Sequence, residues 1–204
     1  ALCRAITAIG GEIDLIYGIA MRPETPAPMR ETLFYSRLGE QLSLGQKPKM
    51  TLRRRALRAA MLPTVRKAVE VPISGKVIAG DMVERVPPAR RIFSRSGLFE
   101  ASVHYFRRYG KAMRIEVPEP PAIMHWTYPV PVEMVGARNV YTLHDIVPLV
   151  MPYASLEDKA YYKAMLQWLV DNASGLCTVS EASRHDISGM FGMAADRIDN
   201  LYQA

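Results

Sequence analysis

Three short apolar segments in the second half of this 204-residue chain each lead into residues that could do chemistry. The most distinctive are His144 and Asp145, which follow the segment Asn139–Leu143. An imidazole titrates near neutral pH, and a neighbouring carboxylate can orient it by accepting one ring N–H. The pair is therefore a candidate for proton transfer or for polar contact with a substrate. The alternative is a structural histidine that fixes the loop before Pro148.

The preceding apolar segment ends in aromatic and hydroxyl-bearing residues. Aromatic faces stack on sugar rings and a threonine hydroxyl hydrogen-bonds sugar hydroxyls, so the group predicts a substrate-binding role. Its members are His125, Trp126, Thr127 and Tyr128. The prolines at 129 and 131 also favour a stiff, ordinary loop. In that alternative His125 is a buried residue at a strand end.

The third group opens a predicted helix and contains Ser180, Glu181 and Arg184. Serine is a preferred N-cap and glutamate favours the first helical turn, so helix formation alone explains the first two residues. A helix N-terminus also binds anions, and an arginine one turn further on can add a charged contact to phosphate. Both interpretations stay open at this point.

Strands alternate with helices around these groups. The predicted strands are Ile13–Tyr17, Ala122–Trp126, Asn139–Leu143, Gly175–Val179 and Arg197–Tyr202. Such alternation indicates right-handed crossovers and a parallel sheet with helices on both faces. We therefore predict an α/β, Rossmann-like fold. Ligands of such sheets bind beyond the carboxyl ends of the strands, which is where all three groups lie.

Apolar periodicity and capping residues predict the helices between these strands. An N-terminal helix should end before Gly10, and a short helix is possible near Glu31–Leu42. The helix Leu98–Tyr109 should carry Phe99, Val103 and Phe106 on one side and stop at Gly110. Ser155 is the predicted N-cap of the next helix, with Asp158 completing a capping box. Its apolar stripe is Tyr162, Met165, Leu166, Leu169, Val170 and Ala173, and a last helix runs from Ser180 to about Met190.

Three consecutive motifs carry a resemblance to a known family. They are Met124–Pro129 (MHWTYP), Tyr141–Leu149 (YTLHDIVPL) and Thr178–Ile187 (TVSEASRHDI). In this order, with a helix between the second and third, they resemble the N-terminal domain of the family-four retaining glycosyltransferases of the GT-B fold. The likeness covers about Pro118–Ala204 well and Ala1–Tyr17 plausibly. Residues 18–113 match in general character only.

The resemblance implies half of a split enzyme. The N-terminal domain of this family holds the acceptor, and a C-terminal domain, absent here, holds the nucleotide sugar. The chain begins with Ala1 and ends in a predicted strand, so we expect a single N-terminal domain, truncated at both ends and inactive alone. Within it, residues 18–115 form a variable basic region and 116–204 the motif-bearing core. Hexose transfer in bacterial polysaccharide or glycolipid assembly is the implied process.

The same resemblance assigns roles to individual residues. It places His144 near the donor phosphate or the transferred sugar. Many members carry a second histidine two positions after the one at His125, near the reacting sugar. This chain has Thr127 there, which puts a catalytic role for that loop in doubt. No metal or other cofactor is expected, because the family has no obligatory metal and the chain lacks an Asp-x-Asp triad and a His/Cys ligand cluster.

Charge is distributed unevenly along the chain. Residues 51–114 contain 15 Lys or Arg and 4 Asp or Glu, whereas the rest contains 11 and 16. The predicted helix Leu52–Leu62 concentrates basic side chains, namely Arg53, Arg54, Arg55 and Arg58. A solvated face is the ordinary explanation, and contact with an anionic membrane surface is the functional one.

Other classes of function receive less support. Aromatic residues interleave with the basic ones near Phe106, but their helical spacing favours a core, and no nucleic-acid-binding motif is present. No Gly-x-Gly-x-x-Gly follows a strand, which argues against a dinucleotide site. No apolar run approaches the ~18 residues of a membrane span. Cys3 and Cys177 form no disulfide framework, so a cytoplasmic location is expected. The basic helix, with the family resemblance, adds the expectation of a peripheral position on the inner membrane face. A non-catalytic Rossmann-like binding module is the main alternative, and no oligomeric state is indicated.

Overall fold

The computed structural model describes residues 2–43 and 65–202. Within these ranges the chain forms two compact units, where the sequence predicts one domain. The first unit holds residues 2–43 and Lys67–Ala101, and the second holds residues 65–66 and 102–202. The division therefore falls after Ala101, before the predicted start of the motif-bearing core at residue 116.

A small sheet organises the first unit. The elements up to the division are α1 (Leu2–Ala8), β1 (Asp14–Tyr17), α2 (Ala27–Ser43), β2 (Arg66–Lys67), β3 (Val69–Val71), α3 (Met82–Arg85) and β4 (Arg91–Ser94). Strands β1, β4 and β3 lie side by side, with β4 parallel to β1 and antiparallel to β3. The apolar core of this unit comprises Ile19, Met21, Phe34, Tyr35, Val71 and Ile92.

The predicted elements of the first unit are found with small shifts. Helix α1 ends before Gly10, whose φ of 82° lies in the left-handed region that glycine adopts without strain. Strand β1 is confirmed within one residue. Helix α2 starts four residues earlier than the short helix predicted near Glu31. Phe34 of this helix is fully buried, and its ring lies against the Tyr17 ring at 5.0 Å between centroids.

The second unit contains the motif-bearing segments. Its elements are α4 (Leu98–Tyr109, which begins before the division), β5 (Met113–Glu116), β6 (Ile123–Trp126), β7 (Val132–Met134), β8 (Arg138–Thr142), α5 (Val147–Val150), α6 (Lys159–Asn172), β9 (Gly175–Thr178), α7 (Glu181–Phe191) and β10 (Ile198–Asn200). Strands β6, β8, β9 and β10 form a four-stranded sheet in that spatial order, with every pairing parallel. Strands β2, β5 and β7 form a separate sheet.

This arrangement confirms an α/β fold with parallel sheets flanked by helices, consistent with the predicted Rossmann-like class. Helix α6 connects β8 to the neighbouring parallel strand β9, and α7 connects β9 to β10. The predicted stripe of α6 is buried at Met165, Leu166, Leu169 and Val170. Burial of such a stripe, at roughly 25 cal/mol per Å² of apolar surface, is what keeps a crossover helix on its sheet.

Two local predictions are corrected. The N-cap of α6 is Asp158, whose carboxylate accepts from the Tyr161 N–H at 3.1 Å, and not Ser155. Ser155 instead accepts from the Glu157 N–H in the preceding turn. Helix α4 has its predicted bounds, but Phe99 is 36% exposed and the side chain of Tyr105 is buried, so the buried face is rotated from the predicted one.

None of the helices in the described parts of the chain is both long enough and apolar enough to cross a membrane.

Candidate functional site

The predicted site residues lie at one edge of the four-stranded sheet. Because its strands are parallel, β6, β8, β9 and β10 all end at the same edge, here called the carboxyl edge. Adjacent strands of a sheet lie about 4.8 Å apart. The strand ends therefore place side chains from distant parts of the sequence along one edge of the sheet. The residues at or just beyond this edge are His125, Trp126, Thr127, Tyr128, His144, Asp145, Ser180, Glu181, Arg184 and Asn200.

His144 connects two of the loops at the carboxyl edge. It is half-buried, and its Nε2 lies 2.8 Å from the carbonyl oxygen of Thr127, in the loop after β6. The residue before it is tied down as well, because the Leu143 N–H donates to the Cys177 carbonyl at 2.8 Å. The ring of His144 is thus held between the loop after β8 and the loop after β6.

Asp145 holds the loop after β8 and does not orient His144. Its Oδ1 accepts from the Val147 N–H at 3.0 Å, a turn that opens the short helix α5. The Asp145 carbonyl accepts from the Tyr162 hydroxyl at 3.2 Å. Burial, with Asp145 and Glu157 nearby, raises the pKa of Tyr162 to about 12, so this donor keeps its proton. Asp145 therefore fixes the loop after β8 through its own hydrogen bonds, and the predicted pairing of its carboxylate with the His144 imidazole is not formed.

His125 makes its polar contact inside the sheet. Its Nε2 lies 2.8 Å from Oγ1 of Thr142, which is buried at the end of β8. Burial lowers the pKa of His125, so the ring is neutral at pH 7. This environment agrees with the structural alternative for His125.

Trp126 lies beneath the carboxyl edge and not on its surface. Only 4% of the residue is exposed, and its ring stacks on Tyr141 with 6.4 Å between centroids. The indole N–H donates to Asn139 Oδ1 at 3.1 Å. Trp126 therefore cannot stack on a ligand without leaving the core, which corrects its predicted role.

Thr127 and Tyr128 are the exposed members of that loop. Tyr128 is 44% exposed, and its partial burial raises the pKa of the phenol. The phenol therefore keeps its proton at neutral pH. These two residues keep the surface position that a substrate-binding role requires.

Ser180 is confirmed as the N-cap of α7. Its Oγ accepts from the Ser183 N–H at 3.1 Å and donates to Ser183 Oγ at 3.0 Å. The helix ends at Gly192 in the left-handed conformation. The hydroxyl of Ser180 is thus already engaged in capping.

Glu181 occupies the helix N-terminus that was a candidate anion site. Its Oε2 pairs with Arg184 Nη2 at 2.6 Å, and its Oε1 accepts from Asn200 Nδ2 at 2.6 Å. A carboxylate at this position satisfies the helix dipole and repels a phosphate. The charge of Arg184 is directed to Glu181, so a phosphate contact by Arg184 requires this ion pair to open.

Sequence reasoning did not identify Thr178 and Asn200, the last residues of β9 and β10. They are opposite each other in the strand register, so their side chains share a sheet face. Thr178 Oγ1 and Asn200 Oδ1 are both buried and have no hydrogen-bond partner. Buried polar groups are usually paired, and an unpaired one costs about 1–3 kcal/mol. Their position as polar residues at the ends of strands is the sequence feature that could have identified them.

The predicted membrane-surface residues Arg53, Arg54, Arg55 and Arg58 lie outside the described residues, as does the predicted helix Leu52–Leu62. Within residues 2–43 and 65–202, no three His, Cys, Asp or Glu side chains are grouped closely enough to hold a metal ion.

Comparison with known proteins found no matching family model, no matching curated protein and no matching solved structure.

Proposed function

We propose that this chain is the acceptor-side domain of a retaining glycosyltransferase. The enzyme would transfer a hexose from a nucleotide sugar to a glycan or lipid-linked acceptor, in bacterial polysaccharide or glycolipid assembly. The observation that carries the proposal is the meeting of three motif loops at one carboxyl edge. Thr127, Tyr128 and His144 supply hydroxyl, aromatic and imidazole groups there, the combination that sugar recognition uses.

Each part of the edge has a distinct task on this proposal. His144 contacts the donor phosphate or the transferred sugar, Tyr128 stacks on a sugar ring, and Thr127 bonds a hydroxyl. Asp145 and Tyr162 keep the loop after β8 in place, which limits the reorganisation needed on binding. The nucleotide diphosphate belongs to a second domain, so Glu181 can remain paired with Arg184 in this one.

The second candidate, a non-catalytic binding module, is favoured by a different observation. Asp145, Ser180, Glu181 and Arg184 are all engaged within the chain. Side chains that are already hydrogen-bonded or ion-paired within the chain are less able to take part in group transfer. A binding role needs fewer such groups.

Thermal denaturation with GDP-, UDP- and dTDP-sugars separates the two candidates. The 204-residue chain and a longer product that includes a nucleotide-sugar domain are compared side by side. A ligand at 100 times its Kd stabilises by ~2.7 kcal/mol, which raises Tm by roughly 5–10 °C at this size. We expect the rise, and sugar turnover, in the longer product only. No rise in either product contradicts the transferase proposal, and turnover by the 204-residue chain contradicts the split of tasks.

We also propose that the basic segment holding Arg53, Arg54, Arg55 and Arg58 attaches the protein to the anionic inner face of the cytoplasmic membrane. Each basic residue near such a surface contributes about 1 kcal/mol. Vesicle co-sedimentation tests this: binding to anionic but not to neutral vesicles is expected, and it should weaken in salt. Equal binding to both vesicle types, or to neither, would rule the attachment out.

A further inference from the structure

The loop after β8 continues into an apolar segment that is exposed to solvent. Residues 146–156 contain no charged side chain. Single exposed apolar residues are ordinary on protein surfaces, whereas a cluster of them marks a binding surface. Here we call residues 147–156 the apolar segment. The large apolar residues in it that are at least 40% exposed are Val147, Val150, Met151, Tyr153 and Leu156.

The backbone of the apolar segment has few hydrogen-bond donors left for a partner. The Val147 N–H donates to the Asp145 carboxylate, and Pro148 and Pro152 have no N–H. Further N–H groups donate to carbonyls of the segment itself or of Ile146, namely those of Leu149, Val150, Met151 and Ala154. A partner therefore gains mainly apolar contact from this surface, and it needs few polar groups of its own.

The charges at the two ends of the apolar segment sum to a negative value. Asp145 precedes the segment, and Glu157 and Asp158 follow it. Asp158 is paired with Arg107 at 3.1 Å, and the Lys159 ammonium donates to two backbone carbonyls in the turn before α6. An anionic bilayer surface requires basic residues at this place. The segment therefore fits an uncharged hydrocarbon chain better than an anionic membrane.

The apolar segment adjoins the part of the chain that the proposed function assigns to the reaction. It begins two residues after Asp145, whose carbonyl accepts from the Tyr162 hydroxyl at 3.2 Å. The loop is also fixed at its start, because the Leu143 N–H donates to the Cys177 carbonyl at 2.8 Å. A hydrocarbon chain attached to a sugar at the carboxyl edge thus starts beside the segment.

We propose that the apolar segment binds the hydrocarbon chain of a lipid-linked acceptor whose sugar lies at the carboxyl edge. This inference rests on the proposed function, and it selects a lipid-linked acceptor over a free glycan. Tyr153 and Leu156 extend furthest into solvent and contact the chain, and burial of their apolar surface drives binding. The two prolines keep the backbone stiff, which limits the entropy lost on binding.

Binding of methyl, hexyl and octyl glucoside to the 204-residue chain tests this chain recognition, at concentrations below micelle formation. Each methylene group that becomes buried should tighten binding about fourfold. We therefore expect the dissociation constant to fall by about tenfold or more from methyl to octyl glucoside. Equal dissociation constants across the series overturn the proposal.

A double variant, Tyr153→Ser with Leu156→Ser, should remove the dependence on chain length. Both side chains are at least 85% exposed, so thermal stability and the affinity for methyl glucoside should stay at their wild-type values. Ile78→Ser is the matched control, because Ile78 is 99% exposed and belongs to the first unit. A chain-length dependence that persists in the double variant, or that is lost in Ile78→Ser as well, overturns the proposal.

Backbone amide shifts of the wild-type chain give a second measurement that does not depend on the folding of a variant. Octyl glucoside should shift amides within residues 147–156 that methyl glucoside leaves in place, and added shifts confined to other regions overturn the proposal. Binding of the wild type, but not of the double variant, to neutral vesicles would assign the segment to the bilayer instead.

These measurements involve no turnover, so the nucleotide-sugar experiment judges the proposed function separately. A chain-length dependence located at the apolar segment, without a response to any nucleotide sugar, would keep the hydrocarbon site and reject the transferase. A nucleotide-sugar response with no chain-length dependence would keep the transferase and reject the lipid-linked acceptor.

Discussion

Polar side chains at the two ends of the four-stranded sheet differ in how fully they are hydrogen-bonded. Near the amino end, the side chain of Asn139 makes four hydrogen bonds. Its Oδ1 accepts from the Trp126 indole at 3.1 Å and from the Met134 N–H at 2.8 Å, and its Nδ2 donates to the carbonyls of Met134 and Ala137. At the carboxyl edge, the buried atoms Thr178 Oγ1 and Asn200 Oδ1 have no hydrogen-bond partner.

The contrast separates buried polar groups that stabilise the fold from buried polar groups that lack a partner. A fully bonded buried network specifies one arrangement of strands, here of β6, β7 and β8. The unpartnered polar atoms at the carboxyl edge, Thr178 Oγ1 and Asn200 Oδ1, contribute no such hydrogen bonds to the fold. Parallel sheets bind ligands at the carboxyl edge. The polar atoms without partners, Thr178 Oγ1 and Asn200 Oδ1, lie at that same edge.

Replacing Asn139 should have the largest effect on stability. Asn139→Leu keeps the approximate shape but leaves the Trp126 indole N–H and the Met134 backbone without partners. Each unpaired buried group costs about 1–3 kcal/mol, so we expect a loss of roughly 3 kcal/mol or more in the free energy of unfolding. Urea titration measures it.

Asn172→Leu is the control for that experiment. Asn172 is exposed at the end of α6 and donates one hydrogen bond to the Trp168 carbonyl. Surface replacements of this kind change stability by about 0.5 kcal/mol or less. Equal losses in the two variants would mean that the Asn139 network has no special weight.

A pair of threonines should give smaller effects of opposite sign. Thr142 and Thr178 are both buried at strand ends, but only Thr142 has a partner, His125. Thr142→Val should lower the free energy of unfolding by about 1 kcal/mol, and Thr178→Val should leave it unchanged or raise it by up to about 1 kcal/mol. Matching losses in both variants, measured by denaturant titration, would show that Thr178 has a partner too.

These comparisons also show what could be predicted from the sequence. The ends of β6, β8 and β9 and the cap at Ser180 followed from local patterns, because they depend on neighbouring residues. The burial of Trp126 did not, since its hydrogen-bond acceptor, Asn139, lies 13 residues away on another strand.

The sequence also could not decide between two residues that are equally suited to the same local role. Ser155 and Asp158 are both good N-caps, and the turn between them uses Ser155 elsewhere. The pairing of Glu181 with Arg184, by contrast, has the i,i+3 spacing of neighbours on a helix and was open to prediction.

The pH dependence of stability should show the smallest effect. Burial lowers the pKa of His125 in the folded state, so the unfolded chain takes up this proton first as the pH falls. Stability is therefore full above the unfolded pKa of about 6.5 and declines as the pH drops toward the lower folded value. His125→Gln, which can still bond Thr142, should flatten this decline. If the free energy of unfolding of His125→Gln falls between pH 7 and 5 as steeply as that of the wild type, other titrating groups cause the decline.

The central claim, that ligands bind at the carboxyl edge, is tested most directly by mapping backbone amide shifts on titration with methyl glycosides. We expect the changes to gather at Thr127–Tyr128, His144–Asp145 and Ser180–Glu181, with the amides of Met134 and Asn139 unmoved. Changes centred on Asn139, in the first unit, or nowhere would contradict the claim.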